Sequence, residues 1–139
     1  MLKEKALKEL LLKAGYSAKT IELYLNKVNV GSIENADVVS TYTGMICGDT
    51  ITLYLKLENE TIKDAKFEYN GCVGTATSGS ALTNLIIGKT IKDVWYITSD
   101  DVLSELDGLP ESHCVDLAIN ALCKAIEKLE EKRTRVEVQ

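Results

Sequence analysis

Four cysteines and a single histidine are the side chains of this chain most able to do chemistry. The cysteines stand at positions 47, 72, 114 and 123, and the histidine directly precedes the third of them. Thiolates bind soft metal ions and attack sulfur. No pair here has the Cys-x-x-Cys spacing of zinc fingers or thioredoxins. Spacing alone is therefore weak support for a metal, and the surroundings of each cysteine must decide its role.

Two of the cysteines are predicted to lie at helix starts. Cys72 stands between a strand pattern and a helix pattern, while Cys114 follows His113 at the start of the last helix. The free N–H groups and partial positive charge of a helix start favour thiolate, so we expect the pKa of the Cys114 thiol to be lowered. His113 can ligate the same ion or a neighbouring one. The competing interpretations are a small residue closing a turn at Cys72 and a surface histidine beside a half-buried cysteine.

Cys47 stands in the tripeptide Cys47-Gly48-Asp49. In an extended chain residues i and i+2 point the same way, so Cys47 and Asp49 can serve one site. Gly48 allows the backbone to bend between them. Because Gly-Asp is also a common turn before a strand, the tripeptide alone leaves a structural role open.

Cys123 differs from the other three cysteines. It lies nine residues beyond Cys114, which is half a turn out of phase on a regular helix. It also borders an apolar stripe, where a free cysteine is often a small hydrophobic residue. We therefore predict a structural role for Cys123.

Several other kinds of chemistry are disfavoured. The chain has neither a P-loop nor a G-x-G-x-x-G motif. His113 and Cys114 are adjacent, and adjacent helical residues diverge by about 100°, so they do not form a nucleophile–base pair. The net charge of −5 argues against nucleic acids and anionic membranes as partners.

Hydropathy gives an expectation about localisation. No stretch approaches the roughly 18 consecutive apolar residues that span a bilayer, and the N-terminus lacks the apolar region of a signal peptide. Four cysteines in such a chain point to metal binding or catalysis more than to disulfides. The sequence predicts a cytoplasmic protein without a membrane segment.

Hydrophobic periodicity predicts a single α+β domain over residues 1–139, because strands are grouped together with helices before and after them. Residues 1–15 are predicted to add an N-terminal helix, and residues 133–139 to form a frayed tail. Gly79, inside a predicted helix, indicates that another backbone or a site approaches closely. The predicted elements are helices at 2–14 and 17–27, strands at 40–46, 50–57 and about 64–69, a helix at 75–87, two short helices within 91–106 and a long helix at 112–132.

Short motifs stand in a recognisable order along the chain. They are YLNKVNVG at 24–31, CGD at 47–49, GC at 71–72 with TSGS at 77–80, GKT at 88–90, and LP followed by HC within 109–114. Each is weak alone, but their shared order over about 90 residues resembles the IscU/NifU N-terminal family of iron–sulfur scaffolds. That family's motifs are Y-x-N-P-R-N-V-G, C-G-D, G-C with A-S-S-S, G-K-S, and L-P with H-C. The resemblance covers about residues 16–130.

The resemblance implies a fold and a site. It implies a three-stranded antiparallel sheet packed by helices, the IscU/SufE-like α/β sandwich, with three cysteines converging at one end. It also implies a [2Fe–2S] cluster bound by Cys47, Cys72 and Cys114, with Asp49 or His113 completing the ligand shell. In the cluster-free form zinc or iron is expected at the same place.

The implied function is that of a scaffold with no catalytic turnover of its own. Its implied partners are a cysteine desulfurase as sulfur donor and apo-proteins as cluster recipients, with a homodimer as a further expectation. Two alternatives stay open, namely a zinc-bound sulfur acceptor of the SufU type and a structural zinc protein. The histidine before Cys114 favours the scaffold, since zinc-type members usually lack it.

Overall fold

The structure, a computed structural model, describes residues 2–45 and 47–138, with side chains as far as Lys132. The described residues form three strands and six helices, and the predicted α+β class with a three-stranded antiparallel sheet is confirmed. The elements are α1 (Leu2–Lys13), α2 (Ala18–Leu25), β1 (Val38–Thr43), β2 (Thr50–Glu58), β3 (Thr61–Asn70), α3 (Val73–Ile86), α4 (Ile91–Val94), α5 (Ser99–Glu105) and α6 (His113–Val138).

The sheet has the order β1-β2-β3 and buries one face. Ile51, Leu53 and Leu55 of β2 are buried, as the alternating pattern predicts, and α3 and α6 pack on the sheet. The predicted hairpin turn joins β2 to β3. Its central residues Asn59 and Glu60 have φ of 51° and 71°, as a two-residue type I′ connection requires.

Both edges of the sheet are covered, so the described sheet ends at three strands. Beside β3, the Gly31 N–H donates to the Phe67 carbonyl at 2.8 Å, and the Phe67 N–H donates to the Asn29 carbonyl at 3.0 Å. Beside β1, three lysines spaced one turn apart on α6 donate to alternate carbonyls. These bonds run from Lys124 to Thr41, from Lys128 to Val39 and from Lys132 to Asp37, at 2.7–2.8 Å. Lysines at an edge strand oppose pairing with another chain.

Two element boundaries and one helix surface differ from the sequence prediction. Strand β1 lies at Val38–Thr43, earlier than the predicted 40–46, and Ile46 is outside the described residues. Helix α6 continues to Val138, through most of the segment predicted as a tail. The sequence of α1 places Leu2, Ala6, Leu10 and Leu11 near one face, but the helix packs against α2 and buries only Leu11 of these. None of the described helices combines the length and apolar character needed to cross a bilayer.

Gly79 of α3 faces the ring of Phe67 on β3. A Cβ built at this position would lie within 3.0 Å of three carbons of that ring. The sequence correctly predicts a close approach, but the approaching group is a side chain rather than a backbone or a site. The absence of a side chain at Gly79 therefore lets α3 sit close to the sheet and sets the position of the α3 N-terminus.

We expect Gly79→Ala to destabilise the protein by about 1 kcal/mol. Overpacking a fully buried contact costs about 1–3 kcal/mol, which outweighs the helix-propensity gain of about 1 kcal/mol. The measurement is the free energy of urea unfolding, with Ser104→Ala on the exposed side of α5 as the control. A Gly79→Ala protein as stable as its parent would show that the Phe67 ring can shift without loss of stability.

Candidate metal centre

The sheet register brings distant segments together at one end of the domain. Thr50 of β2 pairs with Asn70 of β3, so the loop before β2 lies beside the turn after β3. Cys47 and Asp49 stand in that loop, and Cys72 stands in that turn. The first turn of α6 carries Cys114 and packs against α3. The fold thus gathers at one end the residues that the sequence singles out as candidate ligands.

Cys72 and Cys114 lie at the separation of two ligands of one metal. Their Sγ atoms are 3.7 Å apart. Two thiolates on a tetrahedral ion with metal–sulfur bonds of about 2.3 Å are about 3.8 Å apart. The approach depends on Gly74, because a Cβ there would lie 2.9 Å from the Cys114 Sγ. The pair can therefore bind one ion without backbone movement.

The electrostatics of Cys114 differ from the sequence prediction. Burial, and to a smaller extent the nearby Cys72, raises the pKa of its thiol to about 12. The predicted lowering of this pKa is wrong because the helix-start argument omits the packing of α3 over the sulfur. In the metal-free protein Cys114 is a neutral thiol at pH 7, so a metal that binds it must displace a proton.

Asp49 is held at the N-terminus of α3. Its Oδ2 accepts hydrogen bonds from the Thr75 hydroxyl at 2.6 Å and from the Cys72 N–H at 3.3 Å. The Thr75 bond lowers the pKa of the Asp49 carboxyl, and the bond from Cys72 lowers it as well. Gly71 makes room, since a Cβ there would lie 2.5 Å from Oδ2. The carboxylate is therefore ionised and fixed beside Cys72.

Cys47 and His113 line one cleft beside the Cys72–Cys114 pair. The cleft also includes Met45 and Leu117, and its walls come from the β1–β2 loop and from α6. Cys47 is exposed, and the Gly44 Cβ position is 3.2 Å from its Sγ. Cys47 and Cys72 are thus open to solvent, whereas Cys114 is buried.

The comparisons with known proteins identify the family. The family described as NifU-like N terminal domain matches residues 15–136. This chain belongs to that family.

Relatives and solved structures agree with this membership. Iron-sulfur cluster assembly scaffold protein IscU 1 of Archaeoglobus fulgidus is 42% identical over 80% of this chain and 74% of its own. Iron-sulfur cluster assembly scaffold protein IscU of Escherichia coli K12 is 36% identical over 85% and 96%. The crystal structure of a NifU-like protein (N-terminal) from Brucella abortus has a TM-score of 0.68 at 23% identity, covering 84% and 94%, and so supports the fold. The resemblance drawn from the motifs is confirmed.

Three residues of the site in this NifU-like domain escape sequence reasoning. Thr75 holds Asp49 and lies 3.5 Å from the Cys72 Sγ. Burial raises the pKa of the Tyr16 hydroxyl, and the nearby Cys72 and Cys114 raise it further. Glu111 groups with His113 and Cys114. Thr75, one turn after Cys72 on the same helix, is the one that local sequence spacing could indicate.

Cys123 lines a different cleft of the NifU-like domain. Its neighbours there are Tyr42, Asn120, Lys124 and Glu127. Burial raises the pKa of its thiol, and the charge of Glu127 raises it further. The structural role of Cys123 stays a prediction, and a solution experiment can test it.

Proposed function

We propose that this NifU-like domain assembles an iron–sulfur cluster on Cys47, Cys72 and Cys114 and passes it to other proteins. The observation that carries the proposal is the 3.7 Å separation of the Cys72 and Cys114 sulfurs. Two relatives named as scaffold proteins, similar over most of the chain, support it. The cluster is cargo of the domain, so the domain has no catalytic turnover of its own.

The ligand set suits a [2Fe–2S] cluster. Each iron takes two bridging sulfides and two protein ligands, and thiolates are the preferred protein partners. Cys72 and Cys114 bind one iron, and Cys47 with Asp49 or His113 binds the other. A carboxylate or imidazole holds iron of such a cluster less firmly than a thiolate does. Exposure of Cys47 and Cys72 gives donors and recipients direct access.

The proposal implies particular partners. Sulfur comes from a cysteine desulfurase, and the recipients are apo-proteins with cysteine ligands. A homodimer is compatible with a site that is open on one side. A reducing compartment, the cytoplasm in our proposal, keeps the thiols available for metal.

Anaerobic reconstitution tests the proposed function. Iron, a reductant and sulfide are added to metal-free protein, and the visible spectrum and the bound iron, sulfide and zinc are measured. We expect a coloured protein with about two irons and two sulfides for each chain bearing a [2Fe–2S] cluster. A protein that is purified with one zinc and, once freed of it, takes up no iron and stays colourless would replace the scaffold by the zinc-bound sulfur acceptor.

A further inference from the structure

Helix α1 lies outside the part of the chain that matches the family, and it exposes an apolar stripe. Leu2, Ala6 and Leu10 are four residues apart and so share one face of the helix. Leu2 is 86% exposed and Leu10 is 65% exposed, and Lys3 and Lys13 fall on the same face. The helix carries four lysines and two glutamates, so it is basic in a chain whose net charge is −5. A stripe of this kind favours contact with a surface that is both acidic and apolar.

The same chain carries an acidic surface with exposed aromatic rings. Residues 93–116 hold seven acidic side chains and neither lysine nor arginine. The Ser99 hydroxyl donates to the Asp116 carboxylate at 2.7 Å, which joins the start of α5 to the first turn of α6. Trp95 and Tyr96 lie in the connection from α4 to α5 and are 48% and 77% exposed. Aromatic rings are enriched in protein interfaces, and lysine ammonium groups bind over their faces. The acidic aromatic surface is defined by Asp93, Trp95, Tyr96, Asp100 and Asp116.

We propose that α1 of one copy docks on the acidic aromatic surface of a second copy, through the Leu2–Ala6–Leu10 stripe and its flanking lysines. The two described sheet edges do not compete for this role, because the segment at 29–31 covers β3 and the lysines of α6 cover β1. Opposite charge and exposed apolar groups occur on both members of the proposed contact. The inference does not rest on the proposed function, since neither surface contains a candidate metal ligand.

The α5 helix fixes the two surfaces relative to each other within one chain. Ser17, just after α1, donates through its hydroxyl to the Leu106 carbonyl, and Lys19 of α2 pairs with Glu105 of α5 at 3.7 Å. A two-fold axis can therefore pair each α1 with the acidic aromatic surface of the other copy, and the assembly closes as a dimer. One face of a 12-residue helix is small beside a standard interface. The dimer is therefore weak and loses affinity as salt screens its charges.

Sedimentation velocity of the full metal-free chain measures the dissociation constant of the dimer. We expect a dimer at about 0.05 M NaCl whose affinity falls roughly 10-fold or more at about 0.5 M NaCl. Leu10→Ser should weaken dimerisation roughly 10-fold, whereas Leu12→Ser should leave it unchanged. Leu12 gives the matched control because it is 52% exposed on the same helix but lies off the stripe. Circular dichroism shows whether each variant keeps its fold.

Charge reversal tests the pairing itself. One protein carries Lys3→Glu with Lys13→Glu, and a second carries Asp93→Lys with Asp100→Lys. Each alone should dimerise roughly 10-fold or more weakly than the parent, because like charges then face each other. An equimolar mixture should form a heterodimer of parental affinity, since every reversed surface meets its complement.

The outcomes decide whether a second copy is the partner. Restored association in the mixture, together with weaker dimers of Leu10→Ser, supports the proposal. A dimer that tolerates Leu10→Ser and both charge reversals would place the interface elsewhere and overturn it, as would charge-reversed proteins that do not associate when mixed. A parent that stays monomeric at low salt would also overturn it. If that monomer binds anionic lipid vesicles and Leu10→Ser abolishes the binding, the stripe belongs to a membrane surface instead.

Discussion

Replacing either Cys72 or Cys114 by serine is expected to abolish retention of an iron–sulfur cluster, while Cys123→Ser retains it. Serine offers a hard, largely protonated oxygen in place of a soft thiolate. Because the two sulfurs are already 3.7 Å apart, the loss of one leaves the other without its partner on the same iron. Cys47→Ser should also lose the cluster, since it removes the thiolate of the second iron.

The measurement is the iron and sulfide bound to each chain after anaerobic reconstitution. We expect the parent and Cys123→Ser to bind both to the same extent, and the other three variants to fall to background. A Cys123→Ser protein that loses its cluster while a Cys47, Cys72 or Cys114 variant keeps it would make the assignment wrong.

Stability must be checked for one of these variants. Cys114 is buried against Gly74, so a serine there leaves a polar hydroxyl in an enclosed position. Such a change can cost about 1–3 kcal/mol unless the hydroxyl finds a partner. Unfolding of the metal-free Cys114→Ser and Cys114→Ala proteins separates loss of fold from loss of ligand. A folded Cys114→Ala protein without cluster supports the ligand role.

The sequence predicts the fold well because each element depends on local pattern. The alternation of Ile51, Leu53 and Leu55 sets the buried face of β2, and the turn at Asn59 fixes its pairing with β3. Helix ends are less accurate. Helix α6 extends past the predicted end at Lys132, since residues 133–138 contain no Gly or Pro that would stop it.

The sequence predicts the site only in part, because the features that it misses depend on tertiary contacts. Local spacing singles out Cys47, Cys72 and Cys114, but it gives neither the contact between Cys72 and Cys114 nor the burial that raises the pKa of the latter. Tyr16 lies in the connection between α1 and α2, and Glu111 lies in the loop before α6. In such connections no hydrophobic periodicity predicts which side chains face the site. Helical capping at the start of α3 is likewise long-range, since Asp49 supplies it from the β1–β2 loop.

Asp49→Ala is expected to prolong the life of the cluster in air several-fold and to slow its transfer to a recipient. In the [2Fe–2S] arrangement in which Asp49 shares the second iron with Cys47, the carboxylate is the weakest partner in the ligand set. Asp49 can also return to the Thr75 hydroxyl and the Cys72 N–H, so its departure from iron has a ready destination. Removing this exchangeable group removes the easiest route by which a recipient thiol enters.

The decay of visible absorbance in air and the rate at which a holo-recipient appears measure this effect. Loss of the two hydrogen bonds should cost about 1 kcal/mol of stability, which leaves the domain folded. Asp100→Ala, on the exposed first turn of α5, is the control for charge removal. Thr75→Val keeps the Asp49 carboxylate but takes away one of its resting partners, so Asp49 should leave iron less readily, and we expect a cluster lifetime between those of the parent and of Asp49→Ala. Faster loss from Asp49→Ala than from the parent would mean that Asp49 holds the cluster, and would move the exchangeable role to His113.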